Sequence, residues 1–323
     1  MDAVSLFPAL DQRPKIRQPM QVDKQTSREI RGELMTRLNI RRLGYALGAE
    51  VTGVDLRQPL GVEIVAAIRQ AWLKHIVLCF PGQELTPEHL MAFSERFGDL
   101  DDNRFSQALS HPDHAPVFLI SNSPVNIKEK RIDGAVNDHW HSDLSFSLRP
   151  STATILNAQQ LPEIGGDTMF ANMYMAYDAL SPAFKEAIES LEAVHDVAVP
   201  KAFSTLSPAT QASIRQKNPP VAHQLVRVHP ETGAKALNVG RISGIVGMNG
   251  DESKPLIDFM NRHATRYEFI YRHRWSVNDL LMWDNRCALH YAIPDYEPTC
   301  VRLLQRCSLL GERSGYIPSS SSN

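Results

Sequence analysis

NDHWHSDLSF, residues 137–146, is the stretch on which the reading of this chain turns. It opens a region, 139–175, in which aromatic and β-branched runs alternate with turn residues, as strands do. Along a strand, residues i and i+2 share a face. His141 and Asp143 would then set an imidazole and a carboxylate side by side, able to chelate one metal ion. A third ligand has to come from elsewhere in the chain. His290, in WDNRCALHYAIPDY (283–296), is the best candidate, because it follows an apolar strand in an aromatic-rich stretch.

Two histidines and one carboxylate on one face of an octahedron leave three positions open. That is the arrangement of non-haem Fe(II) oxygenases. A His-x-Asp pair by itself fits equally a surface histidine beside an aspartate, and the same three residues could serve a zinc hydrolase. His139 would share the face of His141 and competes as a ligand. The surroundings have to decide.

Working outward, residues 1–40 are polar, charged and proline-bearing, with a helix expected over 27–38; they read as a peripheral arm. Residues 40–60 read as strand and turn, 61–75 as an amphipathic helix, and 76–82 as a short buried strand ended by Pro-Gly. Thr86 as cap with Pro87 behind it starts a helix that Gly98 ends. PVFLIS (116–121) reads as a strand. A helix is expected over 181–197, with Ser181 as cap and Pro182 in its first turn. Residues 199–222 carry no clear pattern. Residues 223–240 read as a hairpin turning at Pro-Glu-Thr-Gly, 251–266 as a helix, 269–285 as two strands around a turn, and 300–311 as a last strand. Residues 315–323 read as a polar tail. The order predicts a mainly β chain with flanking helices, an antiparallel sandwich rather than alternating βαβ units. Residues 41–314 form its one large domain.

Composition narrows the class. Of 323 residues, 43% are hydrophobic and 22% charged, and 34 Lys+Arg against 36 Asp+Glu leave a formal charge of −2. A near-neutral chain is not expected to have nucleic acid as its main partner. Four cysteines without a CxxC pair make neither a disulfide framework nor a zinc knuckle, so a reducing cytoplasm is expected. No apolar run approaches the ~18 residues of a membrane helix.

Five segments in order carry a resemblance: NDHWHSDLSF (137–146), LPEIGGDTMFANMYMAYDALSP (161–182), VRVHPETGAKALNV (226–239), LLMWDNRCALHYAIPDY (280–296) and VRLLQRCSLLG (301–311). Together with LGAEVTGVDL (47–56) and VLCFPGQELTPEHLMAFSERFG (77–98), they resemble the taurine dioxygenase / 2,4-dichlorophenoxyacetate dioxygenase family over roughly residues 43–312. The resemblance implies a double-stranded β-helix, or jelly-roll, core. It implies Fe(II) held by His141, Asp143 and His290, with 2-oxoglutarate and O2 as co-substrates. The distal carboxylate of 2-oxoglutarate would be held by Arg302 and Thr168, a guanidinium fork and one hydroxyl donor. Arg306, about 13 Å along the same strand face from Arg302, would hold the anionic group of the primary substrate or support the C1 carboxylate of 2-oxoglutarate, a solvent-facing arginine being the alternative, with Asn137 as a further substrate contact. Trp283, Asp284 and Asn285 form the family's turn and read as structural; Tyr291 and Phe146 read as pocket lining or core.

The implied reaction is hydroxylation of a small organic anion with succinate and CO2 as co-products, and C–O, C–S or C–N cleavage where the hydroxylated carbon bears a heteroatom. A desaturase or cyclase on the same scaffold, or a non-catalytic anion-binding sandwich, are the alternatives. Family members are commonly homo-oligomers. Residues 98–110 lack the His and Tyr with which taurine enzymes grip the aminosulfonate, and Asn238 stands near the place of their covering phenylalanine. Residues 251–275 resemble the aryloxyalkanoate-degrading members more closely.

Overall fold

The computed structural model describes residues 38–102, 109–127, 130–132 and 139–318. The arm up to residue 37, with its expected helix, and Asn137 lie outside the described residues. β1 (Asn39–Arg42) and β2 (Ala49–Thr52) pair antiparallel. α1 (Val62–His75) follows, burying Ile68, Ala71 and Trp72. β3 (Val77–Phe80) returns parallel to β2. This is a βαβ crossover where the sequence predicted none: the apolar stripe of α1 finds cover only by lying across the sheet it connects. Every residue of β3 is buried, as its unbroken VLCF run demands. α2 (Pro87–Ser94) starts as expected, the Thr86 hydroxyl accepting from the His89 backbone N–H.

Next come β4 (Phe118–Ser121), β5 (Val125–Ile127), β6 (Lys130–Ile132), β7 (Ala153–Gln160) and β8 (Thr168–Asn172). Helical turns follow that the sequence reading places differently. α3 (Met173–Asp178) sits where strand was expected, because the Asn172 side chain caps it by accepting from the N–H groups of Tyr174 and Met175. α4 (Pro182–Ile188) is half the expected length. Its second half becomes β9 (Glu192–His195), whose period-two burial matches pairing on both edges. α5 (Lys201–Ser204) and α6 (Pro208–Lys217) fill the stretch without pattern, and α6 begins on the same Ser-Pro signature as α4. β10 (Val221–Gln224) precedes the hairpin of β11 (Val226–Val228) and β12 (Lys235–Leu237), which turns as predicted. β13 (Ile242–Ile245), α7 (Gly250–Ala264), β14 (Ile270–His273), β15 (Leu280–Asp284), β16 (Ala288–Ala292) and β17 (Leu303–Ser308) complete the order.

The chain is mainly β with flanking helices. A seven-stranded sheet runs β1-β2-β3-β15-β7-β17-β4, and a three-stranded sheet runs β14-β8-β16. β10-β9-β13 forms a further three-stranded sheet. One apolar cluster lies between the first two, joining Leu156, Leu281 and Leu304 to Phe170 and Leu289. A second lies on the outer face of the large sheet, where Leu78, Phe80, Leu280 and Met282 meet Ile68, Trp72, Leu90 and Phe93. β15 is therefore buried on both faces, which keeps a strand of the central sheet from shifting register. At roughly 1.5–3 kcal/mol for each large side chain taken fully out of water, these two clusters dominate the stability of the fold.

The turn into β8 is closed by two glycines. Gly165 (φ +83°) lies so close to the Asp295 backbone that an added Cβ would sit 2.2 Å from its carbonyl oxygen. Gly166 (φ +75°) lets the Arg302 side chain lie against the chain. Both positions need a left-handed backbone without a side chain. G165A is expected to destabilise the protein by at least about 1–3 kcal/mol, read as a lower urea midpoint; an unchanged midpoint would show that the turn relaxes.

Candidate metal centre and anion cavity

His141 and Asp143 do not lie on a strand as predicted. His141 forms an isolated bridge to His290, and Ser142–Asp143 turn away from it. The bridge is two backbone hydrogen bonds, His141 N–H to His290 O at 3.0 Å and the reverse at 2.8 Å. Asp143 still reaches the same point, because the chain curls there; Leu144 takes φ +52°. The Nε2 atoms of His141 and His290 lie 3.7 and 3.8 Å from the same Asp143 oxygen, Oδ1. All three ligand atoms fall within 4.8 Å of one another, and all three residues are buried.

Groups behind the trio fix what His141 and Asp143 present, whereas His290 Nδ1 is buried without a hydrogen-bond partner among the described residues. His141 Nδ1 donates to the His139 carbonyl at 2.9 Å, so Nε2 keeps its lone pair. Asp143 Oδ2 accepts from Thr154 Oγ1 at 2.6 Å, which leaves Oδ1 open. Asn285 organises the loop: its Oδ1 accepts from the Asp143 N–H and from Trp283 Nε1, its Nδ2 donates to Thr154, and its carbonyl accepts from Ser142 Oγ. Burial, reinforced by His290 and Arg241, pushes the His141 imidazole well below its ordinary pKa. Burial pulls His290 down to about 4. Burial works against ionising Asp143, but His290, Arg306, His141 and the Thr154 hydroxyl outweigh it and hold its pKa below the usual carboxylate range. Two neutral imidazoles and one carboxylate are the donor set that a divalent first-row ion takes. Ligands at about 2.1 Å and right angles lie about 3 Å apart, so the trio closes on such an ion with small side-chain shifts.

Three other clusters among the described residues have ligand-type side chains, and their chemistry is already used. His229 Nε2 meets Asp284 at 3.0 Å, its Nδ1 accepts from the backbone of Glu231 and Thr232, and Arg286 holds the same Asp284 carboxylate. His273 bonds Tyr271, Asp279 accepts from the Ser276 N–H, and burial pushes the Cys79 thiol far up. The third cluster, His111, Asp113 and His114, lies nearer the surface, with His114 against Glu88. His139, the competing ligand, accepts from Arg241 Nε at 3.0 Å and so has that lone pair occupied.

The trio opens into a cavity of about 110 Å³ between the two main sheets. Thr168, Arg302 and Arg306 line it with His141, Asp143 and His290. Six of the seven site residues read from the sequence thus line one cavity; Asn137 lies outside the described residues. Arg302 stands just before β17 in the large sheet, and Thr168 begins β8 in the small one. Arg302 Nε donates to the Gly166 carbonyl at 2.9 Å, and its Nη2 lies 3.4 Å from Thr168 Oγ1. Trp275 Nε1 donates to the same hydroxyl at 3.0 Å. Since Trp can only donate, the Thr168 proton is free to point into the cavity. Arg302 is buried and has no carboxylate partner among the described residues, and burial lowers its pKa. Arg306 Nη1 lies 3.7 Å from Asp143 Oδ1.

Several residues here escaped the sequence reading. Thr154 is one hydroxyl in an apolar strand, with no local signal. Asn285 was visible only as part of a turn. Trp275, Phe118, Asn122 and Tyr296 also reach the site, and Asn122 Oδ1 accepts from the Arg302 backbone N–H. Tyr291 faces the other way, against Trp140 at 5.7 Å, and Phe146 lies under Arg241. Neither lines the cavity.

A buried two-His-one-carboxylate set beside an arginine-lined cavity is a donor set for a divalent ion next to a pocket suited to small anions. The signature of the Taurine catabolism dioxygenase TauD, TfdA family matches residues 39–308, and the chain belongs to this family. It is 37% identical over 279 residues to the alpha-ketoglutarate-dependent 2,4-dichlorophenoxyacetate dioxygenase of Cupriavidus pinatubonensis, covering 83% of this chain and 95% of that one. It is 31% identical to the alpha-ketoglutarate-dependent sulfate ester dioxygenase of Pseudomonas putida, covering 85% and 90%. Among solved structures it resembles AAD-2 in complex with Mn(II) and N-oxalylglycine, with TM-score 0.71, 30% identity and coverage of 86% and 99%.

T154V should leave the fold intact and weaken Mn(II) binding by about 10–100-fold, as loss of a group that orients a metal ligand does. Calorimetric titration checks this; an unchanged affinity would show that Asp143 needs no such support.

Proposed function

We propose that this protein is an Fe(II)- and 2-oxoglutarate-dependent dioxygenase that hydroxylates a small organic anion of the aryloxyalkanoate, sulfonate or sulfate-ester type. The observation that carries this is Arg302, a buried cation with no carboxylate partner among the described residues, facing the His141–Asp143–His290 trio across one cavity. A buried guanidinium without a counter-charge is costly, and a dicarboxylate bridging arginine and metal removes that cost. The large sheet and the β14-β8-β16 sheet are, in this reading, the two walls of a double-stranded β-helix, and residues 41–314 are one catalytic domain. The proposed setting is the cytoplasm and the proposed assembly a homo-oligomer. Among the described residues no helix is long and apolar enough to cross a membrane.

His141, Asp143 and His290 would hold the ion. When bound, Fe(II) with 2-oxoglutarate and O2 supplies the oxidising chemistry, with succinate and CO2 as co-products. The chain's own residues do the positioning. Arg302 and the Thr168 hydroxyl grip the distal carboxylate, with Trp275 turning the Thr168 proton toward it. Leu156, Trp283 and Ile293 give the cavity its apolar lining. Arg306, beside Asp143, receives the anionic group of the primary substrate, with Asn137 as a second contact. Arg306 and Arg241 both act on the Asp143 carboxylate and Arg302 lines the cavity beyond them, so the field there favours anions. The dichlorophenoxyacetate and sulfate-ester relatives support that substrate class.

Two experiments test the reading. A screen of aryloxyalkanoates, alkylsulfonates, sulfate esters and amino acids should find compounds that stimulate succinate release, whereas H141A, D143A and H290A should each abolish it; a fully active variant removes that residue from the site. R302A should raise the 2-oxoglutarate requirement about 10–150-fold, the equivalent of ~1.5–3 kcal/mol for a lost charged hydrogen bond; an unchanged requirement rejects its role.

A further inference from the structure

Arg306 is held in an unusual way. Its Nε is buried with no hydrogen-bond partner among the described residues, and its ion pair with Asp143 is long, 3.7 Å. Neither feature fixes the plane of the guanidinium. What lies against that plane is the ring of Phe118, with the guanidinium carbon 4.2 Å from the ring centroid. The two residues are direct cross-strand partners, Arg306 in β17 against Phe118 in β4, so their side chains leave the sheet on the same face. Phe118 is itself locked. Its backbone bridges Arg306 on one side and Ser110 on the other, and its side chain is 6% exposed in the cavity wall. Arg302 differs: backbone and hydroxyl groups of Gly166 and Thr168 set its orientation.

We propose that Phe118 is a positioning residue for the primary substrate. Its ring face holds the Arg306 guanidinium by cation–π stacking, so that the donor edge points at the substrate anion rather than folding onto Asp143. The proposal rests on the reading of Arg306 as the substrate's anion contact. Stacking suits this role, because a guanidinium keeps all five N–H donors available in the plane of the fork while its face is occupied. A carboxylate partner in place of the ring would consume those donors. The ring, unlike a carboxylate, adds no negative charge beside Asp143, whose Oδ1 lies 3.7 Å from Arg306 Nη1. Phe118 therefore acts on substrate binding and leaves the 2-oxoglutarate end untouched.

The test is a series of phenylalanines at position 118 carrying one, two, three and five fluorines, which keep the ring and its packing while draining charge from its face. F118L is a natural-residue companion. Two quantities are read. The first is the rate at which phenylglyoxal modifies Arg306 in the metal-free protein, followed by peptide mass spectrometry. The second is the KM for phenoxyacetate, or for hexyl sulfate if that is the compound to which the wild type responds, together with the KM for 2-oxoglutarate. We expect the modification rate and the substrate KM to climb together with fluorination, about 10-fold by the fifth fluorine. The 2-oxoglutarate KM should stay flat. A folded series in which either the modification rate or the substrate KM is flat overturns the proposal, as does a parallel rise in the 2-oxoglutarate KM. A wild type that releases no succinate with any compound overturns the functional reading and this proposal together. That failure is recognised because it precedes every substitution.

Discussion

Two backbone hydrogen bonds between His141 and His290 hold this protein's chemistry in place. They join a loop before β7 to the middle of β16, nearly 150 residues apart, and bring both imidazoles to within 4.1 Å centroid to centroid. The pairing would be unfavourable for two charged rings. Burial favours the neutral form of both rings, and one oxygen of the Asp143 carboxylate faces both Nε2 atoms while the other is committed to Thr154. The site is thus preorganised by polar groups that hold His141 and Asp143 from behind and leave their facing atoms open, the arrangement a metal ion completes.

The two sheets divide the remaining work. β8 and β16 bring Thr168 and His290 from the small sheet, with Ala292 paired to Thr168 and His290 to Phe170. β17 and the residue before it bring Arg306 and Arg302 from the large one. Because β17 is paired on both edges, to β7 and β4, its two arginines cannot slide relative to the metal trio without breaking both ladders. The cations are costly inside a protein. Each is tolerated through a different partner: a carbonyl and a hydroxyl for Arg302, an aromatic face for Arg306, and a neutral histidine with the Phe146 ring for Arg241. The carbonyl, the hydroxyl, the histidine and the rings bring no negative charge to the cavity, so Asp143, 3.7 Å from Arg306 Nη1, is outweighed by Arg302 and Arg306 and anionic ligands are favoured.

Much of the fold could be read in advance where one local signal agreed with one tertiary role. Thr86-Pro87 and Ser181-Pro182 mark helix starts, VLCF marks a buried strand, and Pro-Glu-Thr-Gly marks the hairpin turn. Reading failed where local signals competed with packing. LEAVHDV continues a helical pattern after α4, yet β9 is paired on both edges and strand wins. Ser207-Pro208 carries the same start signal as α4, but its helix buries nothing, so no apolar period announced it. The His141–Asp143 segment looked like strand; pairing with a single residue of β16 and a left-handed Leu144 made it a bridge and a turn.

The amino-acid sequence alone determined the chemical inventory: two histidines and an aspartate with ligand chemistry, two late arginines four residues apart, and glycines where the chain must turn left-handed. These are properties of residue type and short spacing, which survive any arrangement of the rest. Only the tertiary structure decided which histidine of 139 and 141 keeps its lone pair, that Thr154 and Asn285 aim the aspartate, and that Phe118 faces Arg306. Those outcomes depend on which strands lie side by side, and strand pairing is set by the burial of whole sheet faces rather than by any residue's neighbours in the chain.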